Sequence, residues 1–143
     1  MISFSDLQIV NTKGNLFPYK TEVAEDWTPE GDEKDCDSYM SWKLWVLVHK
    51  YGWPERSLRP ATCFVPPYRD ENGLWVPKIN RGHAILLVDY EGKTYALDNC
   101  YPHPMEHYLL PYEWHKIWNH DMIAPDGSVG AWEWAEGADR SFE

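Results

Sequence analysis

Residues 36–51 read CDSYMSWKLWVLVHKY and carry the clearest helical signal in the chain. Apolar residues recur on one face of a helix with 3.6 residues per turn. They are Cys36, Met40, Leu44, Leu47, Val48 and Tyr51. Asp35 is a candidate N-cap, and Gly52 followed by Pro54 should end the helix. The pattern predicts a long helix that begins at Cys36 and is buried on most sides.

A predicted β-hairpin lies further along the chain, where residues 83–98 read HAILLVDYEGKTYALD. A two-residue turn at positions 91–92 pairs residues whose numbers sum to 183. Side chains alternate between the two faces of a strand. We therefore expect His83, Asp98 and Cys100 to share one face of the sheet, with His83 and Asp98 as diagonal neighbours.

The other predicted elements complete an α+β pattern. They are a short strand and a turn within residues 1–20, a strand over 58–65, a loop over 66–82, a helix over 108–119 and a terminal turn and strand after Pro125. A helix followed by strands in meander order favours an antiparallel sheet with the helix packed on one face. The length predicts that residues 1–143 form a single domain.

Composition narrows the classes of partner and compartment. The formal net charge is −10 over 143 residues, which argues against nucleic acid and anionic membranes as partners. No apolar run approaches the roughly 18 residues of a membrane span. The N-terminus lacks the pattern of a secretory signal, so we expect a cytoplasmic protein as encoded. Three cysteines with no zinc spacing are typical of a reducing compartment.

A histidine and an aspartate on one sheet face are the base and the orienting group of a nucleophilic triad. The better candidate for the third member is Cys36, because a helix N-terminus stabilises a thiolate. Cys100 is an alternative or resolving thiol, expected to be packed near the site. Cys63 lies in an apolar strand and is expected to belong to the core.

Two acidic residues complicate the nucleophile assignment. Asp35 and Asp37 flank Cys36 directly, and their charges would raise the pKa of its thiol. Either the carboxylates point away, or Lys34, Lys43 or a cation neutralises them. A bound Ca²⁺ would do so best, because the segment is rich in hard oxygen ligands.

Four segments resemble motifs of one known family. Residues 33–40, EKDCDSYM, are similar to the GDCEDYA nucleophile motif of the bacterial transglutaminase-like cysteine proteinases. Residues 82–88, GHAILLV, resemble the AHMVLAV histidine strand, and residues 95–99, YALDN, resemble the LVLDNL aspartate strand. Residues 51–59, YGWPERSLR, resemble the LGIPxxxLR exit from the catalytic helix. The resemblance covers roughly residues 17–119.

The resemblance implies a papain-like/transglutaminase-like core and a Cys36-His83-Asp98 triad. It implies a cysteine peptidase that hydrolyses a peptide bond of a protein or peptide substrate through a thioacyl-enzyme. No cofactor is required. Asp35 and Asp37 are candidate ligands for Ca²⁺, because a periplasmic family member that clips surface adhesins holds calcium with acids at its nucleophile motif.

Three departures and two rival functions accompany the resemblance. The family's Gly before the Asp-Cys pair is Lys34 here, the 66–82 loop resembles an insertion, and no export signal is visible. A small bacterial or phage protein would fit, with virion or host-cell association in the phage case. One rival function is a catalytically silent protein-binding or assembly module on the same fold. The other is an amidase or transglutaminase.

One further string matches a metal motif. Residues 103–107, HPMEH, match the H-x-x-E-H string of inverted zinc peptidases. That motif requires a helix that carries both histidines, and Pro104 is tolerated only in a first helical turn. We expect loop histidines here rather than a zinc site.

Overall fold

A computed structural model describes residues 2–16 and 36–141, and of residues 36–38 it describes the backbone only. Within these residues, two α-helices pack on a six-stranded antiparallel sheet. The helices are α1 (Phe4–Asn15) and α2 (Cys36–Tyr51). The strands are β1 (Leu58–Phe64), β2 (Gly82–Tyr90), β3 (Lys93–Leu97), β4 (Met105–Glu106), β5 (Glu113–Ile123) and β6 (Val129–Trp134). Single-turn 3-10 helices lie at Glu55–Ser57, Lys78–Asn80 and His107–Leu109.

The strand order is β4-β3-β2-β1-β5-β6, so β2 and β1 occupy the middle of the sheet. The predicted α+β class is confirmed. The terminal turn and strand after Pro125 and the strand at 58–65 are also confirmed, the latter ending at Phe64. In the described part of the chain, no helix is long and apolar enough to span a bilayer.

Helix α2 has the predicted bounds and anchors the core. Gly52 adopts φ +73°, the left-handed conformation that ends helices, and the Trp53 N–H donates to the Leu47 carbonyl over 2.9 Å. Leu47 is fully buried where α2 packs on β2. The helix begins at Cys36.

The β2–β3 hairpin has the predicted register. Leu86 pairs with Leu97, and positions along the ladder sum to 183. Glu91 and Gly92 both have positive φ, 50° and 78°, as a type I′ turn requires. The parity that places His83 and Asp98 on one face is therefore confirmed.

The prediction of a strand within residues 1–20 is wrong, because residues 4–15 form helix α1. Its buried face carries Leu7 and Val10 together with Asn11 and Gly14. A polar amide and a glycine on the buried face hide the helical period from a count of apolar residues. The helix starts at a cap in which Asp6 accepts a hydrogen bond from the Ser3 N–H over 3.1 Å.

The predicted helix at 108–119 is also wrong, because Glu113–Ile123 forms strand β5. The segment is rich in aromatic and β-branched residues such as Trp114 and Ile117, which favour strands. Strand β5 pairs with β1 on one edge and with β6 on the other. Ladder hydrogen bonds on both edges outweigh a weak local preference.

Candidate active site

The centre of the site is a hydrogen bond between His83 and Asp98. His83 lies near the start of β2, and Asp98 directly follows β3. The Nε2 atom of His83 is 2.7 Å from Oδ1 of Asp98. The side chains are 8% and 1% exposed, so the pair is shielded from water. Shielding strengthens the interaction relative to an exposed pair.

Asp98 accepts two further hydrogen bonds. The Cys100 N–H donates to Oδ1 over 3.0 Å, and the Tyr112 hydroxyl donates to Oδ2 over 2.5 Å. Burial alone would raise the pKa of Asp98, but the bonds from His83, Tyr112 and Cys100 outweigh it and lower the pKa. Burial and the Asp98 charge raise the pKa of Tyr112, which therefore remains a donor. Asp98 is thus held as a buried carboxylate with three donors.

The pairing fixes which nitrogen of His83 can act as a base. Because Nε2 bonds to Asp98, a proton from a nucleophile must be accepted at Nδ1. The Tyr112 ring lies edge-on to the imidazole, with centroids 5.6 Å apart, and restricts its rotation. A nucleophile that uses this base must therefore approach from the Nδ1 side of the ring.

Cys100 lies on the other side of the imidazole. Its Sγ atom is 4.0 Å from Nε2, the nitrogen that already bonds to Asp98. Cys100 is near the site as predicted, but it is exposed rather than packed. The reason is that it follows β3 in a turn rather than in the ladder. Cys63 is buried in β1, as expected for a core residue.

A polar cleft opens beside the histidine, with a cavity volume of about 620 Å³. Its lining includes Tyr39, Arg81, His83, Asn99 and Cys100. Tyr39 is buried in the first turn of α2, three residues after Cys36. Residues three apart share one face of a helix, so position 36 lies on the face that borders the cleft.

Three of the predicted site positions lie wholly or partly outside the residues that the structure describes. Asp35 is not among the described residues, and only the backbone of Cys36 and Asp37 is described. The structure thus brings together His83 and Asp98, and it begins α2 at Cys36. The catalytic role of Cys36 and calcium binding by Asp35 and Asp37 remain predictions.

A buried polar network connects both helices to the Asp98 turn. Lys43 of α2 is 0% exposed, and its Nζ donates to the side-chain carbonyls of Asn11 and Asn15 over 2.7 Å each. The Asn15 amide donates onward to the main-chain carbonyls of Asp98 and Tyr101, over 2.9 and 3.0 Å. Asn11 also donates to Tyr101, over 3.1 Å. The network holds the backbone of residues 98–101 against the helices.

Lys43 is therefore engaged with α1, although the sequence also allowed it to neutralise the acids beside Cys36. Burial lowers its pKa to about 7, against the opposing charges of Asp98 and Cys100. Gly14 makes room for it, since a Cβ there would lie 2.9 Å from Lys43 Cε.

Sequence reasoning missed Tyr112 and the role of Lys43. A signal for Lys43 was available, because it lies seven residues after Cys36, on the apolar face of α2. A lysine on such a face needs buried partners. No comparable signal marks Tyr112, which reaches Asp98 only through the placement of β5.

The HPMEH string lacks the α-helix that the zinc motif requires. It spans strand β4 and the start of a 3-10 helix, so no α-helix carries both histidines. In residues 2–16 and 39–141, the only convergent group of three metal-binding side chains is His83, Asp98 and Cys100.

Comparisons with known proteins identify the fold. No protein-family model matches the chain, and no curated protein matches it. The fold is similar to calcium-bound LapG of Legionella pneumophila, with a TM-score of 0.65, 18% identity, and coverage of 94% of this chain and 70% of that one. For EGTA-treated LapG the TM-score is 0.62 and the identity is 19%, with coverage of 89% of this chain and 70% of that one. A third LapG structure gives a TM-score of 0.61 and 19% identity, with coverage of 82% of this chain and 64% of that one. The expected transglutaminase-like fold is confirmed at this level.

The lowered pKa of Lys43 predicts a pH-dependent stability. The folded pKa is about 7, whereas that of an unfolded lysine is about 10.4. Between these values the unfolded state binds the extra proton, so the free energy of unfolding rises with pH by up to about 1.4 kcal/mol per unit. Urea unfolding at pH 7, 8 and 9 should show a smaller slope for Lys43→Met. Lys50→Met, at an exposed site on α2, should retain the wild-type slope. Equal slopes for wild type and Lys43→Met would contradict the assignment.

Proposed function

We propose that the protein is a cysteine peptidase that uses Cys36 as nucleophile, His83 as general base and Asp98 as orienting group. The observation that carries this proposal is the buried His83–Asp98 hydrogen bond, which leaves Nδ1 as the basic nitrogen of a histidine that lines an open cleft. The start of α2 at Cys36 supports it, because the first turn of that helix borders the same cleft.

Two buried polar atoms beside the cleft support a peptide substrate. Among the described residues, Arg81 Nε and Asn99 Oδ1 are buried atoms without a hydrogen-bond partner, and both residues line the cleft. One is a donor and the other an acceptor. A peptide group supplies the matching carbonyl oxygen and N–H, so an extended peptide would pair with both atoms if the two side chains turned toward the cleft.

The mechanism would follow from the order of these groups. His83 Nδ1 accepts the Cys36 thiol proton, and Asp98 stabilises the imidazolium through Nε2–H. The thiolate attacks the substrate carbonyl, and the backbone N–H of Cys36 stabilises the oxyanion at the helix N-terminus. Nδ1–H then protonates the leaving amine. Water, deprotonated by His83, hydrolyses the thioacyl-enzyme and restores the thiol.

The proposal predicts a specific pattern of variant activities. With a proteome-derived peptide mixture, the wild type should generate new peptide N-termini, measured by mass spectrometry. Cys36→Ala should abolish their formation, and Asp98→Asn should slow it by about 10²–10⁴-fold because the base loses its orienting charge. Asp89→Asn is the matched control, since Asp89 lies on β2 but pairs with Arg59.

The products discriminate between the proposed and rival functions. Cleavage that persists in Cys36→Ala would contradict the nucleophile assignment. Released ammonia without new N-termini would indicate an amidase or a transglutaminase. Peptide binding without turnover in the wild type would indicate a catalytically silent module.

We further propose that Asp35 and Asp37 bind Ca²⁺, which would neutralise the two carboxylates beside the nucleophile. The support is the density of acidic residues in this segment of the sequence, and LapG, which has the same fold, has a calcium-bound structure. Titration calorimetry should show Ca²⁺ binding that Asp35→Asn and Asp37→Asn each weaken by at least about tenfold. Asp126→Asn, in the β5–β6 turn, should bind like the wild type. Unchanged binding in the Asp35 and Asp37 variants would contradict this site, whatever the peptidase assay shows.

A further inference from the structure

Three side chains of different chemistry place a potential metal-ligand atom near the Nε2 side of His83. The Nε2 of His83, a carboxylate oxygen of Asp98 and the Sγ of Cys100 all lie within 4.8 Å of one another. Cys100 is exposed and lines the cleft, so an ion can reach it from solution. Tyr112 bonds to Oδ2 of Asp98, which leaves Oδ1 directed at the cluster.

We propose that His83, Asp98 and Cys100 form a binding site for Zn²⁺ that inhibits the enzyme. The inhibitory consequence rests on the proposed peptidase function, but the binding does not. A site of this kind is distinct from the calcium site proposed at Asp35 and Asp37, because thiolate and imidazole ligands select zinc over calcium.

The distances suit a tetrahedral ion after small adjustments. Zinc bonds of about 2.0–2.3 Å at the tetrahedral angle place neighbouring ligand atoms about 3.3–3.6 Å apart. The His83–Asp98 and His83–Cys100 separations are 2.7 and 4.0 Å, on either side of that range. The Asp98 oxygen and Cys100 Sγ lie within 4.8 Å of each other. Displacements of about 1 Å therefore convert the cluster into three ligands. The fourth position would face the cleft and hold water.

Binding would move protons in a way that disables the base. The Cys100 thiol proton leaves to solvent as its sulfur bonds the metal. Zinc needs the lone pair of Nε2, so the proton that Nε2 donates to Asp98 is displaced, and neutral His83 carries its proton on Nδ1. The Nδ1 atom is then a donor and no longer accepts the Cys36 proton. Zinc thus inhibits by fixing the inactive tautomer, without contacting Cys36.

Metal binding is tested first without reference to activity. In Cys36→Ala protein, which retains Cys63 and Cys100, Co²⁺ should produce one equivalent of a near-ultraviolet thiolate-to-metal absorption band. Added Zn²⁺ should displace it. Cys36→Ala/Cys100→Ser should lose the band, and Cys36→Ala/Cys63→Ala, which removes a buried thiol, should retain it. Absence of the band, or its persistence without Cys100, would overturn the site.

Inhibition is tested on proteins that retain Cys36. Cys100→Ser preserves the backbone N–H that bonds Asp98, and the inhibition of each protein is measured relative to its own activity without metal. The variant should need at least a tenfold higher Zn²⁺ concentration for half-inhibition. Equal sensitivity would refute inhibition through this site. A cobalt band in a protein without peptidase activity would instead refute the proposed function and leave the metal site standing.

Discussion

The hydrogen bond between His83 and Asp98 is the interaction on which the candidate site depends. It exists because the β2–β3 turn fixes a register that places both residues on one sheet face. The carboxylate is buried, so it needs the donors that surround it, and Tyr112 and the Cys100 N–H supply them. The pair then determines that Nδ1 is the reactive nitrogen of the imidazole.

The helices support this pair through one buried lysine. Lys43 extends from α2 to two amides of α1, and those amides hold the main-chain carbonyls of Asp98 and Tyr101. The same helix begins at Cys36. The Lys43 network therefore fixes the position of α2 relative to the Asp98 turn. A reaction between Cys36 and His83 requires these two elements to be held in a defined relative position.

Secondary structure could be predicted from the sequence in segments where a single helical or strand period is clear. The apolar face of residues 36–51 predicted α2, and the two-residue turn at 91–92 predicted the hairpin register and the proximity of His83 to Asp98. Helix α1 was missed because Asn11, a polar residue, lies on its buried face and interrupts the apolar period. Asn11 is buried there because it accepts a hydrogen bond from Lys43. Strand β5 was missed because its pairing with two distant strands is a tertiary effect.

The site was predictable only in part, because a local pattern predicts contacts within a hairpin but not contacts between distant segments. Hairpin parity is local and follows from counting residues, so His83 and Asp98 could be paired in advance. The contact of Tyr112 with Asp98 depends on how β5 is placed, which no local pattern encodes. The polar partners of Lys43 likewise come from a helix 28 and 32 residues away in the chain.

The alkylation rate of Cys36 by iodoacetamide at neutral pH tests the central claim most directly. Mass spectrometry of the labelled peptides compares Cys36 with the exposed Cys100 and the buried Cys63 in the same molecule. If His83 activates Cys36, that residue should react at least about tenfold faster than Cys100, and His83→Ala should remove the difference. A Cys36 that reacts no faster than Cys100, or is unaffected by His83→Ala, would contradict the account.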